Sequence, residues 1–270
     1  MKIALTATLA APRTAPLLLR GPMNDAFGLA AALGYDGVEI HLREPDDIDR
    51  AAVAEMAQRL GLGIPTLGTG MAVAEGLTFA DPDPEVRRRA VARILGQVEL
   101  AAALGSGVTI GLVRGRLGQG EARGAAERAF LDCLEACCRA AAPLGVMLFL
   151  EPLNRYECDY LHTLDEAAAV IERLGAANLK LLADTFHMNV EEVDMAAALR
   201  RVGAQLGHVH LVDSNRWVPG RGHIDMKGIL RALADGGYEG YLSLEALPLP
   251  DPRTATREGL WAVRTLLEGL

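Results

Sequence analysis

The chain has 270 residues and a mass of 28.7 kDa, a length at which an α/β barrel closes as one unit. Half of the residues are hydrophobic but only 4% are aromatic, with 29 glycines, which excludes disorder, collagen and a disulfide scaffold and calls for a core of Ala, Leu, Val and Ile. With 27 basic against 35 acidic residues the net charge is −8, which argues against a polyphosphate backbone, and so against nucleic acid, as partner.

Short β-rich runs alternate with stretches of helical periodicity, and no Gly-, Ser- or charge-rich linker interrupts them. In chain order the pattern predicts a strand over 2–8, a helix over 25–33, a strand over 37–42, a helix over 48–60, a strand over 64–70 and a helix over 84–104. A strand over 108–113, a helix over 121–142, a strand over 146–153, a helix over 164–174 and a strand over 179–187 follow. A helix over 191–202, a strand over 208–213, a helix over 226–235, a strand over 241–247 and a helix over 254–267 complete the series. Repeated βα units of this kind predict a closed parallel barrel, a single (β/α)8 domain spanning 1–270.

Two local features refine that outline. Gly34-Tyr35-Asp36-Gly37 before the second strand is echoed by Gly237-Tyr238-Glu239-Gly240 before the last, which reads as one solution to turning a helix end into a strand. Cys133, Cys137 and Cys138 fall in an alanine-rich helical pattern, and with Cys158 they lack the paired spacing of a zinc site. Free thiols, no secretory h-region and no apolar run of the roughly 18 residues that a span needs predict a cytoplasmic chain without a membrane anchor.

In a barrel the carboxyl ends of the strands converge on one mouth, so the chemistry is sought there. Four consecutive strands end in capable groups: Glu151 after Val146 to Leu150, Asp184 after Leu179 to Ala183, His208 and His210 in the next, and Glu245 after Leu242-Ser243-Leu244. A carboxylate closing an apolar strand loses hydration unless it is paired or metal-bound. Three carboxylates and one imidazole, His210 being nearer its strand end, form a hard set suited to one divalent ion, Mn²⁺ first, with Mg²⁺ or Co²⁺ as alternatives. Glu39 and His41 on the second strand also point inward, while His208, Arg221 and His223 have no assigned part.

The segments Glu151-Pro-Leu-Asn154-Arg155-Tyr156-Glu157, Ala183-Asp184-Thr185-Phe186-His187-Met188-Asn189, His208-Val-His210 and Ser243-Leu244-Glu245 closely resemble the xylose isomerase-like sugar isomerase/epimerase barrels, and within them the ketose (D-tagatose) 3-epimerase branch. The resemblance is specific over 146–247 and topological before it. It implies that Glu151, Asp184, His210 and Glu245 hold the metal, that Glu151 and Glu245 are the acid/base pair, that His187 and Arg216 hold the reacting oxygens, and that Glu157 contacts the same end of the substrate. The implied reaction is proton transfer through an enediolate on a ketose or ketose-like small molecule, the metal acting as Lewis acid. A homo-oligomer is compatible with the resemblance.

The sequence also departs from that pattern. The first strand ends Leu5-Thr6-Ala7-Thr8-Leu9 without the aromatic residues that ketohexose epimerases present there, Asp213 stands where Glu is usual, and His162 stands where Asn is common. Arg114 and Arg116 after the fourth strand are positioned in sequence to meet an anionic group, which predicts a phosphorylated or carboxylated substrate. Hydroxypyruvate isomerase and inosose dehydratase are neighbouring chemistries. An endonuclease IV-like nuclease, which would need extra histidines after the third and fourth strands, and a non-catalytic metal-binding barrel are the remaining alternatives.

Overall fold

A computed structural model describes all residues, 1–270. Nine parallel strands run in the order β2-β1-β3-β4-β5-β6-β7-β8-β9, and β1 also pairs with β9, which closes the ring. They are β1 (Lys2–Thr8), β2 (Leu19–Arg20), β3 (Gly37–His41), β4 (Thr66–Gly68), β5 (Gly107–Ile110), β6 (Leu148–Leu150), β7 (Leu179–Asp184), β8 (Leu206–His210) and β9 (Tyr241–Leu244). The short β2 lies outside the closure, beside the end of β1, and the other strands form an eight-stranded TIM barrel.

Around the barrel lie α1 (Met23–Leu33), α2 (Arg50–Leu60), α3 (Pro84–Leu104), α4 (Arg123–Ala141), α5 (Leu164–Leu174), α6 (Thr185–Glu191), α7 (Met195–Val202), α8 (Met226–Asp235) and α9 (Pro252–Glu268). Their starts obey local chemistry. Asp49, Asp83, Thr163, Asp194 and Asp251 cap the free N–H groups of α2, α3, α5, α7 and α9, and Thr163 with Glu166 makes a reciprocal capping box. No helix is long and apolar enough to cross a membrane.

The glycine echo marks helix ends, as expected. Gly34 closes α1 at φ 88° and Gly237 follows α8 at φ 70°, the left-handed region that side chains other than glycine rarely adopt. Behind them the Tyr35 hydroxyl donates to Thr256 O at 2.6 Å and the Tyr238 hydroxyl to Tyr241 O at 2.8 Å, tying the first turn to α9 and the second to the start of β9.

The predicted strands run too long at their carboxyl ends, and the difference matters for the site. The strand expected over 179–187 stops at Asp184, and Thr185–Glu191 is a helix capped by the Asp184 carboxylate, which accepts from Phe186 N at 2.7 Å. The apolar run continues, but its hydrogen bonds change partner. The helix expected over 191–202 accordingly begins later, at Met195. The strand β2 was not anticipated, because two residues carry no periodicity.

Between β1 and β2 the chain forms a loop over the barrel mouth. Its carbonyls converge on one guanidinium: Arg20 donates to Leu17 O and Ala15 O at 2.7 Å, to Pro12 O at 2.9 Å and to Ala11 O at 3.4 Å. A single side chain thus satisfies backbone acceptors that a loop without secondary structure would leave to water.

All four cysteines are free and buried. Burial pushes the Cys133, Cys137 and Cys138 thiols up, Cys138 to about 11, so at neutral pH the reactive thiolate is scarce. Titration of the native protein with a chromogenic disulfide reagent should therefore show only slow labelling of these three, with all four cysteines reacting at once after denaturation. Fast native labelling of α4 would mean that its apolar face is not packed as described.

Candidate active site

The ends of β6 to β9 bring Glu151, Asp184, His210 and Glu245 together, one ligand-capable atom of each lying within 4.8 Å of the others, all in buried residues. Glu151 is held at the end of β6 by its own N–H, which donates to Ile110 O at 3.1 Å, and Gly111 makes room for it, since a Cβ there would overlap the carboxylate. His210 Nδ1 is the centre of the group, 3.5 Å from Glu151 Oε1, 3.7 Å from Glu245 Oε2 and 3.8 Å from Asp184 Oδ2. Both His210 Nδ1 and Asp184 Oδ2 are buried without a hydrogen-bond partner. Unpaired acceptors in a buried site are costly, and a divalent cation between them is the ligand that satisfies both at once. The donor set, three carboxylates and an imidazole, fits a hard ion of the Mn²⁺, Mg²⁺ or Co²⁺ type.

Beneath this cluster lies a second one that the sequence had only hinted at. Glu39 is fully buried, its Oε1 accepting from His210 Nε2 at 3.0 Å and His41 Nε2 at 2.9 Å, and its Oε2 from His208 Nε2 at 2.9 Å. An ionised carboxylate only accepts, so each imidazole must present its Nε2–H, and the neutral His210 ring keeps a lone pair on Nδ1 for the cluster above. Burial alone would push the Glu39 carboxyl up, but His210 beside it and the hydrogen bonds from His208, His210 and His41 hold it well below the usual carboxylate range. Burial keeps His208 below the ordinary imidazole value despite Glu39. Burial opposes charge on His210 too, yet Glu39 and Glu245 raise it well above that value, so a proton and a cation compete for Nδ1.

The other expected substrate contacts gather beside the cluster. His187, on the first turn of α6, accepts at Nδ1 from Asn154 N at 3.3 Å and Asn154 Nδ2 at 2.7 Å, which leaves its Nε2–H directed at the site, 3.8 Å from Asp184 Oδ2. This tautomer follows from the bonding pattern. Arg216 donates from Nη1 to Glu157 Oε1 at 3.1 Å and from Nη2 to Glu245 Oε2 at 3.0 Å, with its guanidinium 4.6 Å from the Phe186 ring centroid. Its backbone has φ 61°, a strained value for any residue other than glycine, and is held there by Arg216 N to Asp213 O at 2.8 Å and Leu247 N to Arg216 O at 2.7 Å. Burial raises the Glu245 carboxyl, aided by Glu151 and Asp184, whereas Asp184, though burial works the same way, is held below the carboxylate range by His187, His210 and Arg216.

Two expectations need correction. Arg114 has no exposed surface, with Nε donating to Gly111 O at 3.2 Å and the guanidinium 5.1 Å from the Tyr160 ring centroid. Arg116 is exposed and donates to Tyr156 O at 3.2 Å and Glu157 O at 2.9 Å, bracing the loop that carries Glu157. Neither borders the cavity. Arg221 pairs with Glu258 and His223 with Ser214, both outside the site, while Asp213 organises their loop by accepting from Ser214 N, Gly220 N and Ile224 N. Asn154 went unassigned at the sequence level, although its position three residues after Glu151 in the same loop was the available signal.

The cluster opens into a cavity of about 300 Å³. Its lining combines polar His41, Thr69, Glu157, His187 and Arg216 with the Arg20-held loop, which contributes Pro12, Pro16 and Leu17. A larger groove of about 750 Å³ runs between the starts of α1 and α9 and shares no lining residue with this cavity.

Comparison with known proteins gives three findings. The family model described as xylose isomerase-like TIM barrel matches residues 27–266. A D-psicose 3-epimerase of Enterocloster bolteae is 33% identical over 241 residues, covering 86% of this chain and 79% of that protein, and an L-ribulose 3-epimerase of Mesorhizobium japonicum is 31% identical over 237 residues, covering 84% and 77%. The apo crystal structure of a 3-keto-D-glucoside 4-epimerase from E. coli superposes with a TM-score of 0.82 at 25% identity, covering 98% of this chain and 99% of that one.

Asp184→Asn keeps an oxygen to cap α6 but removes the charge from the cluster. Mn²⁺ affinity, read by titration, should fall by at least the roughly 10–100-fold that loss of an outer-sphere partner costs, with the melting temperature little changed. Glu39→Gln cannot accept from three imidazoles at once; it should weaken Mn²⁺ by about 10–100-fold and also lower the melting temperature of the metal-free protein. Normal Mn²⁺ affinity in either variant would contradict the site as described.

Proposed function

The chain belongs to the xylose isomerase-like TIM barrel family, and from that premise we propose that it is a divalent-metal-dependent ketose epimerase acting on a neutral sugar by proton transfer through an enediolate. The observation that carries the reading is the buried cluster with its two unpaired acceptors, flanked in strand order by two glutamates. Mn²⁺ is the favoured ion, held by Glu151, Asp184, His210 and Glu245, and when bound it supplies Lewis acidity toward the carbonyl and neighbouring hydroxyl of the substrate.

The residues of the chain account for the rest. Glu151, next to β6, and Glu245, next to β9, stand on either side of Asp184 and His210, so one removes the proton from the reacting carbon and the other returns a proton to the opposite face. The His187 Nε2–H and the Arg216 guanidinium donate to the oxygens on which negative charge develops. Asn154 fixes the His187 tautomer, and Glu157 fixes Arg216.

A neutral substrate follows from the guanidinium count at the wall. Arg216 is the arginine lining the cavity, and it is already paired with Glu157 and Glu245, so no free cation waits for a phosphate. The nuclease alternative lacks its ligands: β4 ends in Gly68-Thr69 and β5 in Ile110-Gly111, without histidine.

Turnover of a neutral ketose in D₂O by the Mn²⁺-loaded protein should place deuterium at the reacting carbon, read by NMR, because a carboxylate proton equilibrates with solvent between turnovers. Glu151→Gln and Glu245→Gln should each lower kcat by at least about 100-fold, and a variant that retains metal should lose exchange from one epimer more than from the other. Robust turnover with the original hydrogen retained would overturn the two-glutamate assignment.

A further inference from the structure

We propose that His41, seated over Gly68, is a sugar-recognition residue whose Nδ1 accepts a hydrogen bond from a substrate hydroxyl remote from the metal-binding end. This rests on the ketose reading above and concerns which ketose the cavity selects.

His41 ends β3 and is paired in register with Gly68 of β4. A Cβ on Gly68 would overlap the imidazole, so the ring occupies the space that the missing side chain leaves. The residue is only 8% exposed, and that remainder borders the cavity. Its polarity is fixed from behind. Nε2 donates to Glu39 Oε1 at 2.9 Å, the one hydrogen bond the ring makes, which in the neutral imidazole leaves Nδ1 as an acceptor with no protein partner.

The ring makes no hydrogen bond to the metal-ligand cluster itself. It reaches His210 only through the shared Glu39 oxygen, on the Nε2 side, whereas the cluster uses His210 Nδ1. The loop that lines the same cavity offers Pro12, Pro16 and Leu17, which cannot supply or accept a side-chain hydrogen bond. A bound sugar strips water from Nδ1, so a hydroxyl of the right configuration restores the bond and its epimer leaves an acceptor bare. Discrimination among sugars is the expected result.

The test compares wild type, His41→Phe and Gly68→Ala, all loaded with Mn²⁺. The Phe ring fills the same space without an acceptor, and the added methyl displaces the imidazole without altering its chemistry. His41→Gln, which retains a donor for Glu39, serves if the Phe variant does not fold. Binding of D-fructose, its C4 epimer D-tagatose and its C5 epimer L-sorbose is measured by calorimetry, beside Mn²⁺ affinity, melting temperature and deuterium incorporation.

The wild type should prefer D-fructose or one of these epimers, and in the variants, each held at saturating Mn²⁺, the affinity ratio within at least one epimer pair should shift about tenfold toward unity. Equal weakening of all three sugars, unchanged ratios, or a wild type that binds none of them would overturn the proposal. Sugar binding without deuterium incorporation would sink the epimerase reading alone, and the affinity ratios would still decide the role of His41.

Discussion

A carboxylate without access to water stands at the centre of this barrel, and the site above depends on it. Glu39 would be expensive to bury alone, and its cost is offset by three imidazole N–H donors, from His41, His208 and His210. The arrangement works in both directions. The histidines keep Glu39 ionised, and Glu39 fixes which nitrogen of each histidine faces away. For His210 that is the nitrogen facing Glu151, Asp184 and Glu245. For His41 it is the nitrogen that lies against Gly68.

Much of this was legible in the sequence, for a physical reason. Parallel strands buried on both faces read as apolar runs, so an acid terminating such a run is conspicuous, and Glu151, Asp184 and Glu245 were visible as residues that an apolar strand end should not tolerate unpaired. The glycine turns before β3 and β9 were readable because only a left-handed residue ends a helix that way. What escaped was contact across the barrel. Glu39 lies 169 residues from His208, and nothing local distinguishes a carboxylate that orders three imidazoles from one that makes a single structural hydrogen bond.

The errors share that origin. Arg114 and Arg116 follow a strand end, where an arginine is as able to meet a ligand as to brace a loop, and only the packed structure reveals that Gly111, Tyr160, Tyr156 and Glu157 claim them. The apolar pattern runs on past Asp184 and predicts a strand through His187, but the Asp184 carboxylate caps Phe186 N and starts a helix there. The consequence is functional. The helical turn brings the His187 ring back over Asp184, where a continued strand would carry it out of the mouth.

The central claim, that Glu39 dedicates His210 Nδ1 to a cation shared with Glu151, Asp184 and Glu245, is tested most directly by crystals soaked in Mn²⁺ and measured for anomalous scattering. The account predicts one peak per chain, within ligand distance of those four residues and of His210 Nδ1, with His210 Nε2 still bonded to Glu39. A peak at Glu39, His208 and His210, the other cluster with ligand-capable atoms, would contradict it, as would several ions in one mouth.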